Sequence, residues 1–125
     1  MRLLLDTHVL LWSLAAPERL SDGARQTIVE PKNTVYVSTA SVWEMAIKST
    51  LGKLTVPDDL DEQLRLNRFD VLPIALRHAQ AVAGLPLRHR DPFDRMLVVQ
   101  ARTEGLRLVT RDPLVQQYDV DCLPA

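Results

Sequence analysis

Four carboxylates in this chain stand where acidic side chains can be brought to one spot. Asp6 follows the apolar run Leu3-Leu4-Leu5, and Asp112 closely follows Leu108-Val109-Thr110. Glu44 lies in a helical segment after Val35-Tyr36-Val37-Ser38, and Asp94 lies in the first turn of a helix opened by Asp91-Pro92. If the apolar runs are strands paired in parallel, all four acids approach one end of one sheet. The carboxyl ends of strands are where open α/β sheets bind ligands. Carboxylates gathered this way repel and are driven to take up protons, unless a divalent cation relieves them. Oxygen donors without histidine or cysteine select a hard cation, Mg2+ or Mn2+. Such a centre suits phosphoryl chemistry, in which the ion polarises a phosphate, generates a nucleophilic water and neutralises the leaving oxygen.

Each acid also has a purely structural use. Asp6 can cap the helix beginning near His8, and Ser41-Val42-Trp43-Glu44 matches a capping box. Asp94 can complement a helix dipole, and Asp112 before Pro113 suits a turn. Asp91, one turn before Asp94, is the better N-cap, so Asp94 is preferred as the ligand.

The elements that must position these acids alternate. Strands are predicted over residues 1–5, 35–38, 69–73 and 107–110, with a last one around 120–123. Helices are predicted over 8–15, 21–30, the stretch after Ser38 as far as Gly52, 58–66, 75–84 and 92–104, with a short one from Pro113. The helix after Ser38 places Val42, Trp43, Met45, Ala46, Ile47 and Leu51 on its apolar side. Strands alternating with helices imply a parallel sheet covered on both faces.

One domain over residues 1–125 is expected, since 46% hydrophobic and 25% charged residues suffice for a core and no linker divides the chain. A net charge of −1 excludes a protein that coats nucleic acid through bulk charge, though not a local basic patch. The lone Cys122 cannot form an internal disulfide. No secretory pattern opens the chain and no run spans a bilayer, so a cytoplasmic protein without membrane contact is expected. Gly23, Gly52, Gly84 and Gly105 are isolated, which excludes dinucleotide-binding and P-loop motifs. His8, His78 and His89 lack zinc spacing.

Asp6-Thr7-His8-Val9-Leu10-Leu11-Trp12, Ser38-Thr39-Ala40-Ser41-Val42-Trp43-Glu44, Asp91-Pro92-Phe93-Asp94-Arg95 and Thr110-Arg111-Asp112 resemble, in order, the blocks of the PIN-domain ribonucleases, and more closely the VapC toxins of type II toxin–antitoxin pairs. The resemblance runs from end to end. It implies a three-layer α/β/α domain with a central, mostly parallel sheet of four to five strands. It implies Mg2+- or Mn2+-dependent endonucleolytic cleavage of RNA through an activated water, with Asp6, Glu44, Asp94 and Asp112 as the catalytic and metal-binding quartet. Asp6, Asp94 and Glu44 would hold metal, and Asp112 would act directly or through water. Thr110 would steady a carboxylate or water. A homodimer and a cognate VapB-like antitoxin, whose C-terminal segment covers the acidic pocket in a hetero-oligomer, are also implied.

Other residues read two ways. Arg88, Arg90, Arg95 and Arg111 form either a solvated, ion-paired surface or a phosphate-contacting rim, and Arg95 and Arg111 are the favoured RNA contacts. Lys48 and Lys53 are read as solvated, with RNA contact as the minor alternative. Trp12 and Trp43 are read as core, and His8 as a helix-surface or core residue. Leu10, Leu11, Leu14, Leu60 and Leu64 are read mainly as core, with any excess serving a dimer face or partner groove. Two rivals are kept: another Mg2+-dependent phosphotransfer protein, and a non-catalytic sequestering module. Against the first, a haloacid-type phosphatase needs a second Asp where His8 stands, and a receiver domain needs an Asp where Ser38 ends its strand. The acidic quartet argues against the second.

Overall fold

The centre of the molecule is the strand β1, Arg2–Leu5, three of whose four residues are buried. A strand with both faces covered reads as a continuous apolar run, and Leu3-Leu4-Leu5 is one. The computed structural model describes residues 1–125. β2 (Thr34–Ser38), β3 (Phe69–Leu72), β4 (Arg107–Thr110) and β5 (Cys122–Pro124) complete a five-stranded sheet in the order β3-β2-β1-β4-β5. Every pairing is parallel, and the register sets Leu3 opposite Val35 on one side and Arg107 on the other.

Six α-helices occupy the crossovers: α1 (Thr7–Ala15), α2 (Asp22–Val29), α3 (Thr39–Thr50), α4 (Leu60–Leu66), α5 (Leu76–Ala81) and α6 (Pro92–Glu104). The two-residue period of the strands sorts the layers. Leu3, Leu5, Val35, Val37 and Val109 pack with Val9, Leu10, Ile28, Met45 and Leu64 from α1 to α4. Leu4 and Leu108 point the other way, onto Leu97, Val98 and Ala101 of α6, with Leu85, Val115 and Tyr118. The result is the expected α/β/α sandwich. Leu10 and Leu64 belong to the first cluster and Leu11, Leu14 and Leu60 lie against it, so these five leucines serve the core, whereas Leu66 of α4 is exposed.

Topology also creates the site. The chain builds outward from β1 through β2 to β3, then returns to place β4 on the other side of β1. The crevice beside the carboxyl end of β1 is therefore the switch point of the sheet.

Several local expectations change. The 75–84 helix is α5 followed by a 3-10 turn at Val82–Gly84, and the short helix from Pro113 is a 3-10 turn at Val115–Gln117. Ser41 and Glu44 form no capping box. The helix α3 starts at once from β2, with Ser38 as its cap accepting from the Ala40 amide, so Glu44 falls in the second turn. Trp43 is not core: it is 60% exposed, and Ile47 and Leu51 share its outward face. The sheet takes only the Ala40, Ser41, Glu44 and Met45 side of α3. At the other end of α6, Gly105 adopts a left-handed φ of 67° and closes the helix, as the glycine there predicts. No helix is long and apolar enough to cross a membrane.

Candidate acidic active site

Helix starts and strand ends meet in one cavity of about 400 Å3, lined among others by Asp6, Glu44, Asp91, Asp94 and Asp112. Asp6 ends β1 and caps α1, accepting from the His8 amide. It is 8% exposed, and its Oδ2 accepts a 2.7 Å hydrogen bond from the Thr110 hydroxyl of β4. Thr110 also accepts from the Asp112 amide, so one hydroxyl sets both acids. Burial pushes the Asp6 carboxyl above the usual carboxylate range against the lowering effect of that hydrogen bond.

Glu44 enters from α3 and is 3% exposed. Its Oε1 accepts from the Thr7 hydroxyl at 2.6 Å and its Oε2 from the Lys48 ammonium at 2.6 Å. Thr7 in turn lies 3.0 Å from the buried Ser41 hydroxyl. Lys48 is held in its charged form chiefly by that hydrogen bond to Glu44, with Asp91 and Asp94 adding to it.

Asp91 takes the role its position predicts: its Oδ1 caps α6, accepting from the Phe93 and Asp94 amides. Asp94 is then free to point inward. Its carboxyl is pushed up to about 7, first by burial and then by the charges of Asp6, Asp91 and Glu44, with His89 opposing. Asp112 folds back on its own turn, accepting from the Leu114 amide.

His89 joins the last two acids. Its Nε2 lies 2.9 Å from Asp112 Oδ2 and 3.0 Å from Asp94 Oδ2. The Asp91 amide donates to Nδ1 at 3.2 Å, which leaves the ring proton on Nε2, facing the acids. Burial lowers the pKa of this imidazole, but the Asp112 hydrogen bond and the surrounding carboxylates outweigh it and raise the value. One oxygen each of Asp94 and Asp112 and one His89 nitrogen lie within 4.8 Å of one another. Asp6 and Glu44 share the cavity but stand outside that group. A donor set of converging carboxylate oxygens, one of them driven to hold a proton at neutral pH, fits a hard divalent cation. The sequence predicts oxygen donors alone there; the structure adds the His89 ring beside Asp94 and Asp112.

The arginines separate. Arg111 lines the cavity, its guanidinium 4.5 Å from the Trp12 ring centroid and its Nη2 donating to the Arg19 and Ala125 carbonyls. Trp12 is half-buried beneath it, packed against the first core cluster. Arg95 is not a rim residue: it donates to the carbonyls of Leu85 and Pro86 and to the Tyr118 hydroxyl, bracing the 85–90 loop. Tyr118 also accepts from the Arg88 and His89 amides, which is what holds His89 in place. The Arg88 side chain borders a different depression, beside Arg102 and Asp119, and Arg90 is exposed outside the acidic lining. His8 is exposed at the cavity edge. The contributions of Thr7, Lys48 and His89 go beyond the sequence reading. Thr7 adjoins Asp6 and Lys48 stands one helical turn from Glu44, so spacing held a signal for those two. For His89 the only signal is its place in the loop before the Asp91 cap.

The PIN domain family model matches residues 3–121. Ribonuclease VapC22 of Mycobacterium tuberculosis is 30% identical over 118 residues, covering 92% of this chain and 90% of that protein. Among solved structures, VapBC2 from Rickettsia felis bound to a DNA fragment from their promoter aligns with a TM-score of 0.74 at 14% identity, over 99% of this chain and 98% of that one. VapBC-1 from nontypeable Haemophilus influenzae aligns with a TM-score of 0.63 at 17% identity, over 99% and 98%. At such identities the structural likeness is one of fold.

Proposed function

The chain belongs to the PIN-domain family, and on that premise we propose that it is a VapC-type toxin, an endoribonuclease that hydrolyses RNA phosphodiester bonds with Mg2+ or Mn2+. The observation that carries this reading is the convergence of Asp6, Glu44, Asp94 and Asp112 in one cavity at the switch point of a parallel sheet, where burial and then the neighbouring acids raise the Asp94 carboxyl to about 7. Gathered carboxylates are relieved by opposite charge; His89 and Lys48 meet part of that need, and a divalent cation is the further partner this donor set fits.

Asp94 and Asp112, with Asp6 and Glu44 in the same cavity, would hold the ion. The bound ion supplies Lewis acidity at the phosphate and a nucleophile from water at neutral pH. The chain's own residues prepare for this. Thr110 orients Asp6 and ties the backbone of Asp112; Thr7 and Lys48 fix both oxygens of Glu44; Asp91 sets the first turn of α6 so that Asp94 faces inward. Arg111, pinned on Trp12, offers positive charge to the RNA backbone at the cavity wall. No protein nucleophile is required, and the products carry a 5′-phosphate and a 3′-hydroxyl.

The structural neighbours include VapBC assemblies, among them members of toxin–antitoxin systems, and this chain is assigned a VapB-like antitoxin that covers the acidic cavity in a cytoplasmic hetero-oligomer. The outward apolar face of Trp43, Ile47 and Leu51 supports self-association into a homodimer.

The test is cleavage of total bacterial RNA by partner-free protein in Mg2+, in Mn2+ and in EDTA, beside an Asp6→Asn control. Discrete fragments in either metal, lost in EDTA and in the variant, are expected. Intact RNA in every metal, from folded protein, overturns the assignment.

A further inference from the structure

Lys48 is a basic side chain inside the acidic cavity, and fixing Glu44 occupies only part of its ammonium. It leaves α3 one turn after Glu44, and its Nζ lies 2.6 Å from Glu44 Oε2. Glu44 cannot swing away, because Thr7 holds its other oxygen. The Lys48 side chain is still 31% exposed, and it lines the cavity together with Asp6, Asp94 and Asp112. An ammonium has three N–H donors, and the contact to Glu44 uses one of them.

The charge balance of the cavity calls for such a group. Five carboxylates line it, and one divalent ion neutralises two of those charges. A phosphate entering that field is repelled unless fixed cations meet it. Lysine or arginine on the lining occurs at Lys48 and Arg111. Arg111 lies against Trp12 and gives its Nη2 to two backbone carbonyls. Both keep donors free, Arg111 at Nε and Nη1 on the cavity wall and Lys48 at its Nζ beside Glu44.

We propose that Lys48 is a phosphate-contacting residue of this site, its ammonium held in the cavity by Glu44 and gripping the backbone of the bound RNA strand. The assignment rests on the ribonuclease reading above. It makes Glu44 a positioning residue for Lys48 as well as part of the acidic field. The bland alternative is that Lys48 only neutralises a buried Glu44. The two differ in one measurable quantity, since a lost phosphate contact releases fewer counterions on binding and a lost structural ion pair does not change that number.

The experiment is fluorescence anisotropy of a 5′-fluorescein oligouridylate with the full chain in Ca2+, over a KCl series. Lys48→Gln is compared with Lys48→Arg and with Lys53→Gln, an exposed lysine in the turn after α3. For Lys48→Gln the slope of log Kd against log [KCl] is expected to fall by about 0.7, the value for one contact with a single strand. Lys48→Arg and Lys53→Gln are expected to keep the wild-type slope. If Lys48→Gln does not fold, Glu44→Gln/Lys48→Gln leaves no unpaired buried charge and reads the same slope. An unchanged slope overturns the proposal, whatever the Tm, as does wild-type protein that shows no salt-dependent binding. Binding needs no cleavage, so the two claims fail separately. Lys48-dependent binding without cleavage in Mg2+ or Mn2+ keeps the contact and removes the enzyme, and cleavage with an unchanged slope does the reverse.

Discussion

Replacing Asp94 by asparagine should stabilise the metal-free protein while removing its metal site. The Asp94 carboxyl moves from 3.8 to about 7 on folding. Its native form therefore binds a proton more tightly than its unfolded form, and stability falls as pH rises between those values. At about 1.4 kcal/mol per unit, the penalty at pH 8 has a ceiling of about 4 kcal/mol. Asparagine removes the charge but weakens the contact with His89 Nε2, so a net gain of roughly 2 kcal/mol is expected once that lost hydrogen bond is counted. For a domain of this size that is a Tm increase of about 5–10 °C. The assay is thermal unfolding in EDTA at pH 5 and pH 8, repeated with saturating Mn2+. The advantage of Asp94→Asn should grow from pH 5 to pH 8 and level off above 7. Mn2+ should then raise the Tm of the wild type and leave the variant unmoved. An Asp94→Asn protein no more stable than wild type in EDTA, or an advantage equal at both pH values, would refute the claim that burial and the neighbouring acids raise this carboxyl.

Thr110→Val removes the donor to Asp6 and the acceptor for the Asp112 amide; a loss of about 1–3 kcal/mol is expected in urea unfolding, with weaker cleavage. Tyr118→Phe takes one acceptor from Arg88, His89 and Arg95 together. Amide exchange over residues 85–91 should quicken while the β1 amides stay protected, and equal exchange in both proteins would show that the loop is held some other way. On α3, Leu51→Ser should change monomer stability by no more than about 0.5 kcal/mol, because that side chain is exposed. Sedimentation should show the same variant losing self-association, and an unchanged dimer would move the interface elsewhere.

Asp94 and His89 mark the boundary of what could be read from residues alone. Asp94 was legible because Asp91, Pro92 and Gly105 bracket a helix by local chemistry, and helical geometry then turns position 94 away from the cap. His89 was not, because its contact with Asp112 spans 23 residues and exists only when β4 lies beside β1 and the 85–90 loop is tied to Tyr118. Arg95 shows the same limit in reverse: its charge suggested a phosphate contact, while its neighbours in space are backbone carbonyls. Trp43 was misread because an apolar helix side is wider than the part a sheet can cover.

By itself the sequence determined the alternation of strands and helices, the parallel sheet buried on both faces, and the acids that follow its strands. Those follow from period, capping and apolar runs, which act within a few residues. Only the tertiary structure decided which acids meet closely, which hydroxyl orients Asp6, and which lysine enters the cavity. The Thr110–Asp6 bond spans 104 residues and the Thr7–Glu44 bond 37. Such contacts depend on strand order and register, which come from the packing of the whole core and from no single segment.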